Sequence, residues 1–544
     1  MLHDTCYSHK ANQEMAQKLS RTCTTKSKLD SMVYPLSLLS QKSNPVFSGI
    51  NMSKSPHVAI IGAGFSGLRC ADILIQNGAR VTIFEARNRV GGRVHQSKVG
   101  GRLIDLGPNW IHGTGTNPIA AIAEMTKTTM EDFEGNQVFI SMDGSPIDDN
   151  TATKISEFVW MTIDEAFKYS NAYKDSIPPE RSLLDFFLDQ VEKANFTPEE
   201  KKWCIETCRL WGAYVGDPIE RQSLKFFCLE ECIDGNNYFV ASTYKDILAY
   251  VSRAALQHAD IRFNQPITNI NSNVQPDPNA PHKTTLTTTT GETHTAPSPS
   301  RPSNRQHLLW PLRKGLHLIP PAFWHKNPND LTTGGVASYS AYERPTFAQF
   351  LDPTYTKGPE GILWNQECLS LAALPGDCAH PTLLFYTYGP CATYIVSKVA
   401  NLNPSSQEYY DFLDDFLRPF YSRLYGYSES SPDCKPLAVM ATQWQNDPYA
   451  GNGSYCNFQV GLSKGDRDIE ILRAGLGPDR GVWFAGEHTA PFVALGTTTG
   501  AYWSGERAAG QICQLYGLGR LGLGLERDDS LPSASGKGVV TSVD

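Results

Sequence analysis

The sequence predicts an α/β protein in which a parallel βαβ unit is interleaved with a second, α+β domain. Three observations predict it. First, an apolar run at 57–61, a glycine-rich turn, a helical stretch and a second apolar run at 79–86 fit within about thirty residues, the span of a parallel crossover. Second, residues 155–255 change to helical periodicity rich in aromatic side chains. Third, glycine-bounded apolar texture returns at 481–509.

The elements follow in order. Residues 1–55 are polar, rich in Ser, Thr and Lys, and aperiodic. They read as a disordered arm, a weak transit peptide, or an over-extended N-terminus whose true start is Met52. "HVAIIG" is a short buried strand, "AGFSGLRCADILIQNG" a helix stopped at Asn77–Gly78, and "ARVTIFEA" a second strand. "ALQHADIRFNQPITNIN" reads as a helix end followed by a strand. Residues 274–306 are Thr- and Pro-rich, part hairpin and part loop. Residues 368–395 suggest paired strands, and 405–425 an amphipathic helix. "GVWFAGEHT" is expected as a late strand and "GAYWSGERAAGQICQLYG" as a closing helix. The tail from Gly519 is Gly/Ser-rich and expected to be mobile. No internal repeat is evident.

Composition narrows the function. With 544 residues, 40% hydrophobic and 19% charged, the chain has matter for a large core, which excludes wholesale disorder. The net charge of −8 argues against a general nucleic-acid binder. No run approaches 18 apolar residues, so no membrane span is expected, and no charged-then-apolar signal opens the chain. The 13 cysteines are an odd, scattered set that fits a reduced compartment, and a cytoplasmic location is expected. Cys204/Cys208 and Cys228/Cys232 are spaced i, i+4, but no His or CxxC set accompanies them, so no metal site is expected.

Gly62-Ala-Gly64-Phe-Ser-Gly67 matches GxGxxG. Alone the motif is weak; its place after a strand, at a helix start, 23 residues before Glu85 makes it strong. Gly62 allows the tight turn, Gly64 a close approach to pyrophosphate, and Gly67 close helix–strand packing. Phe65 and Ser66 place their N–H groups at the helix N-terminus, which favours phosphate. Glu85 suits ribose hydroxyls and argues against a 2′-phosphate. Beyond it, "EARNRVGGRV" supplies Arg87 and then Gly92 and Arg93, a second close approach with a fixed cation.

The run from His57 to Arg93 resembles the FAD-binding start of the flavin-dependent amine oxidase family. "LIDLGPNWIHG" (103–113), with Gly107, Asn109 and Trp110, looks like the segment that this family lays against the flavin ring. Residues 481–509 resemble its closing motif. The resemblance implies non-covalent FAD in a Rossmann-like domain interleaved with an α+β substrate-binding domain, amine oxidase type. It implies roles for Gly486 and Glu487 at the ribityl or ribose region, for Thr497 and Thr498 beside the isoalloxazine, for Arg93 at pyrophosphate, and for Ile267 at adenine. The domains it implies are 56–130, 240–320 and 440–515 for FAD, 131–239 and 321–439 for substrate, and a flexible tail from 516 to 544.

The polyamine oxidase branch is the one resembled most, through the block around His112. That imidazole is expected to orient an amine or shuttle a proton. Tyr455 resembles the aromatic wall before the flavin. Lys314, in "PLRKGLHLIPPAFW", matches a lysine that holds water near flavin N5. Where monoamine oxidases bear the flavin-linking cysteine this chain has Ser454, which cannot form a thioether. Thr497 stands where a second tyrosine would complete a cage.

The expected reaction is oxidation of a polyamine at a secondary amine, with O2 as acceptor and H2O2 as product, by a monomer or weak homodimer without nucleic-acid or membrane partners. Alternatives are another amine oxidase, an L-amino-acid oxidase, for which no arginine clamp is placed, or an impaired flavin-binding scaffold, since residues 290–345 are short and polar where the family has a buried strand. The lack of a long coiled-coil insertion argues against histone demethylation.

Overall fold

The structure is a computed structural model that describes residues 56–132, 135–230, 232–272, 284–296, 313–318, 322–326, 340–356, 364–451, 453–477 and 480–518; at 295–296 and 313–318 only the backbone is described.

The strand His57–Ile61 pairs in parallel with Arg80–Phe84, which pairs in parallel with Asp260–Arg262. Between the first two runs the helix Phe65–Gln76. Its buried face, with Leu68, Ile73 and Leu74, meets the helices Lys245–His258 and Thr498–Tyr516. Small residues permit that approach: a Cβ on Gly505 would lie 2.3 Å from the Ser66 carbonyl oxygen. Ile83, Tyr244, Ile247 and Ile512 complete this core. The fold class and the βαβ unit are those the sequence predicts.

A second, six-stranded sheet runs in the order 438–441, 313–318, 382–387, 366–370, 347–350, 137–140; only the last pair is parallel. The strands 366–370 and 382–387 are buried along their whole length. Long helices, Asp149–Tyr173, Leu183–Lys193 and Pro198–Arg209, form a separate apolar cluster beside it. Asp148, Ser182 and Thr197 cap these helices through their side chains, which satisfies N–H groups that would otherwise be orphaned.

Three expectations change. The strand Arg313–Leu318, expected with the nucleotide-binding part in 240–320, pairs instead with 382–387 and 438–441. The strand Ala438–Ala441 straddles the expected border at 439/440. The run "GVWFAGEHT" is not a strand: Val482 makes an isolated bridge to Gly477, and Glu487–Thr489 form a 3-10 turn. Among the described residues no strand pairs with the outer edge of His57–Ile61, and Ile61 is 48% exposed. The hairpin expected within 274–306 is present at 284–288 and 293–296. Residues 1–55 and the tail from Gly519 lie outside the described residues.

Candidate active site

The glycine turn is built by its own backbone. Gly62 sits at φ +95, its N–H donates to Phe84 O at 2.8 Å, and Gly64 bridges Gly91. A Cβ on Gly67 would lie 2.1 Å from Gly62 O, so this position is closed to any side chain. A Cβ on Gly64 would meet no protein atom within 4 Å. The space in front of the helix N-terminus is therefore open, and no side chain caps that helix. Gly92, at φ +60, closes on Gly64 from the other side. Phe65 is buried in the core, whereas the Ser66 hydroxyl donates to Ala501 O at 2.8 Å and ties this helix to the closing one.

Glu85 is buried at the end of its strand. One of its oxygens accepts from Ala63 N at 2.7 Å and the other from Arg87 N at 2.9 Å. Its carbonyl accepts from Gln265 N, which sets Ile267 two residues beyond. Arg87 reaches Asp447 at 2.6 Å and brings the 447–458 loop alongside. The Arg93 guanidinium donates to Ser454 O and, at 3.1 Å, to Glu487. Burial, the largest single influence, pushes the Glu487 carboxyl upward, but the Arg93 charge, His488 and the Cys456 thiol and N–H together outweigh it and hold the group below its usual range. Gly486 takes φ +134 to turn the chain into that position. A Cβ on Gly107 would lie 2.0 Å from Arg93 O, so the 103–113 segment lies against Arg93.

A chain of hydrogen bonds links the remaining predicted residues. Trp110 Nε1 donates to Tyr386 OH at 3.3 Å, and Tyr386 OH donates to Asn109 Oδ1 at 3.2 Å. Tyr244 OH donates to Trp110 O at 2.7 Å and lies 3.4 Å from Thr498 Oγ1. Thr497 is committed to capping: its hydroxyl accepts from Gly500 N at 2.9 Å. Asn117 accepts from Thr499 Oγ1 and donates to His112 O, which ties the His112 loop to the same helix start. Burial lowers the His112 pKa, only partly opposed by its hydrogen bond to Asn237, which favours the neutral imidazole. Tyr455 packs on Gly496 and donates through its hydroxyl to Tyr214 O. The Lys314 backbone pairs with Tyr386, but its side chain lies outside the described residues.

Sequence reasoning missed Tyr214, Tyr386, Glu230 and Glu367. Tyr214 OH donates to Glu367 Oε2 at 3.0 Å, and Gln349 Nε2 donates to the same oxygen at 3.1 Å. Burial pushes Glu367 up to about 7 and Glu230 up to about 8. A signal for Glu367 existed: it is a carboxylate inside the strand "QECLS", which is buried throughout. Among the described residues no group of three His, Cys, Asp or Glu is placed to hold a metal, and no helix is long and apolar enough to cross a membrane.

The profile of flavin containing amine oxidoreductases matches residues 65–513. The chain belongs to that family. Its cofactor is a flavin, and the dinucleotide fingerprint makes it FAD. The chain is similar to the protein named Probable polyamine oxidase 4 of Arabidopsis thaliana, 27% identical over 43% of this chain and 47% of that one. It is similar to Lysine-specific histone demethylase 1 homolog 3 of Oryza sativa subsp. japonica, 27% identical over 84% of this chain and 54% of that one. The chain thus spans about half the length of these relatives. A solved putrescine oxidase variant redesigned in cofactor binding shares the fold, with a TM-score of 0.56 at 18% identity over 85% of this chain and all of that one. The demethylase relative matches over more of the chain than the polyamine oxidase does, so these relatives leave both classes open.

The residues fit FAD. The open position at Gly64 is a cradle that a side chain would fill, the uncapped helix start faces it, and Arg93 and Glu487 supply a cation and an acceptor beyond it.

Proposed function

We propose that this chain oxidises polyamines at a secondary amine, with FAD held non-covalently. The observation that carries the reading is the aromatic wall of Tyr455, Tyr214, Tyr386 and Trp110, backed by the carboxylates of Glu367 and Glu230. Aromatic faces attract a cationic chain, and a bound ammonium would favour the ionised form of acids that burial raises to about 7 and 8. The flavin supplies the two-electron oxidation, which gives an iminium that water hydrolyses to aldehyde and amine, and the return of electrons to O2 as H2O2.

The protein's own residues do the rest. Gly62, Gly64 and Gly67 with the N–H groups of Phe65 and Ser66 would hold pyrophosphate, Glu85 and Ile267 the adenosine side, and Arg93 with Glu487 the middle of the cofactor. Gly107, Asn109, Trp110 and Thr498 would border the ring. Neutral His112 would orient the amine or accept its proton, Tyr455 would exclude water, and Lys314 would handle a water or a proton. Ser454 has no sulfur. The Cys456 thiol donates to Glu487 at 3.0 Å, and burial with that carboxylate pushes its pKa far up, so it is a poor nucleophile. Both facts support a non-covalent cofactor.

A second reading, oxidation of a methylated lysine side chain, is favoured by the longer match to the demethylase homolog. Purified protein given spermine or a methyl-lysine peptide, with H2O2 as the readout, tests both. Turnover of spermine supports the first reading, and turnover of the peptide alone replaces it.

A further inference from the structure

The closing helix Thr498–Tyr516 carries an arginine to which no role has been assigned. Arg507 lies one turn beyond Ser504 and one turn before Gln511, so the three side chains share a face. That face meets the loop 484–490, which carries Glu487, and the end of the helix Gly465–Ala474. Arg507 Nη2 donates to Phe484 O at 2.6 Å and to Thr489 Oγ1 at 3.1 Å. Its Nη1 donates to Arg473 O and, at 3.3 Å, to Gln511 Oε1. Arg473 in turn donates to Thr489 O at 3.2 Å and to Ala490 O. All these acceptors are neutral. Burial, and then the neighbouring Arg473 charge, push the Arg507 pKa down to about 10. A cation buried among neutral acceptors is costly. What it supplies here is geometry: a planar fork that ties three stretches of chain at once.

The loop it ties has little freedom left. Gly486 takes φ +134 and ψ 161, a conformation that essentially only glycine visits and that persists where its surroundings fix it. Its N–H donates to Ser504 Oγ at 2.9 Å. Its carbonyl accepts from Thr489 N at 2.9 Å and from Thr489 Oγ1 at 3.0 Å. Thr489 is fully buried, and its hydroxyl passes the grip of Arg507 on to Gly486. The next side chain is Glu487, whose oxygens meet Arg93 at 3.1 Å and the Cys456 thiol at 3.0 Å. Ser504 Oγ also lies 3.1 Å from Ser66 Oγ, on the helix of the glycine turn. One face of the closing helix thus holds the glycine turn and the Glu487 loop in register.

We propose that Arg507 is a positioning residue for FAD: through Thr489 and the Phe484 carbonyl it fixes the Gly486 turn, and so sets the Glu487 carboxylate at the middle of the cofactor. This rests on the place given to Glu487 above, and it makes no demand on which amine is oxidised.

The test is FAD titration of flavin-stripped protein, with thermal unfolding of the same samples recorded alongside. Arg507→Lys keeps the charge but not the fork, and FAD affinity falls about tenfold, the size of one hydrogen bond to a charged group. Thr489→Val, which keeps the side chain's shape, lowers it about fivefold, the size of one ordinary hydrogen bond. Thr489→Ser, which keeps the hydroxyl, holds the parent's affinity. In a Glu487→Ala background Arg507→Lys and Thr489→Val each change FAD affinity by less than about twofold, because no carboxylate is left to place. Equal losses in both backgrounds make Arg507 a support of the fold alone and overturn the proposal. So does parent-like FAD affinity in both Arg507→Lys and Thr489→Val, or a loss in Thr489→Ser equal to that in Thr489→Val. If Glu487→Ala by itself binds FAD like the parent, the place of Glu487 fails, and the role of Arg507 with it. Should Arg507→Lys not fold, the Thr489 variants carry the same comparison.

Discussion

Two glycines three residues apart, Gly64 and Gly67, give opposite predictions. At Gly64 the backbone is extended, φ −75 and ψ 176, and an alanine Cβ would meet nothing within 4 Å. The free protein should hardly notice the change. Losing glycine at a helix N-cap costs about 0.5–1 kcal/mol, and restricting the unfolded chain returns about 0.4–1 kcal/mol. The sum is close to zero. The methyl does occupy the open cradle, so the affinity for FAD should fall at least about tenfold, or about 1.4 kcal/mol. At Gly67 the alanine Cβ would lie 2.1 Å from Gly62 O and 3.2 Å from Ile60 Cγ2. Relief requires the helix to lift off its strand, at a cost of about 1–3 kcal/mol. The assay is thermal unfolding of flavin-stripped protein together with flavin titration followed near 450 nm. Gly64→Ala should keep the melting temperature and lose the flavin; Gly67→Ala should lose both. A Gly64→Ala variant that binds FAD like the parent would refute the cradle. Equal stability of the two stripped variants would refute the packing argument.

Other predictions follow from the same geometry. Glu487→Gln leaves Arg93, 27% exposed in its side chain, beside a neutral partner; stability should fall by about 1–3 kcal/mol, and a double-mutant cycle with Arg93→Met should show coupling. Glu367 is raised to about 7 by burial, which Tyr214 and Gln349 offset only in part. A raised acid contributes stability below its unfolded pKa and loses it as pH climbs from about 4.5 through about 7, so the melting temperature of Glu367→Gln should fall less between pH 5 and 8 than that of the parent. Acid denaturation followed by filtration should release all the flavin into the filtrate, because Ser454 cannot hold it and Cys456 is engaged by Glu487; retained yellow protein would contradict this. Oxidation requires a neutral amine, so the rate of flavin bleaching should rise with pH toward the amine's pKa; a flat profile would count against it.

The sequence made the nucleotide half legible because its signals are local. Gly62, Gly64, Gly67 and Glu85 sit within one crossover, and each carries a steric or hydrogen-bonding reason that can be read without a partner. The helix from Gln407 to Tyr421 was legible by its amphipathic spacing. What was not legible depends on distant pairing. "GVWFAGEHT" has the composition of a buried strand, but it makes only the isolated bridge from Val482 to Gly477 and leaves the outer edge of His57–Ile61 unpaired among the described residues. Arg313–Leu318 went to the other sheet: its partners lie about seventy and 125 residues further on. Tyr214 and Tyr386 carry no motif, and only the fold brings one to the hydroxyl of Tyr455 and the other to Trp110. The hydroxyl of Thr497, a residue expected beside the flavin ring, also caps the closing helix, a second use that no motif announces.

The central claim is that this chain holds FAD and reduces it with a polyamine. The measurement that tests it most directly is the visible spectrum of the purified protein before and after anaerobic addition of spermine. The account predicts flavin bands near about 375 and 450 nm that bleach with spermine and return with O2. A protein that takes up no flavin on reconstitution, or whose bound flavin stays yellow with spermine and with every other polyamine, would contradict it.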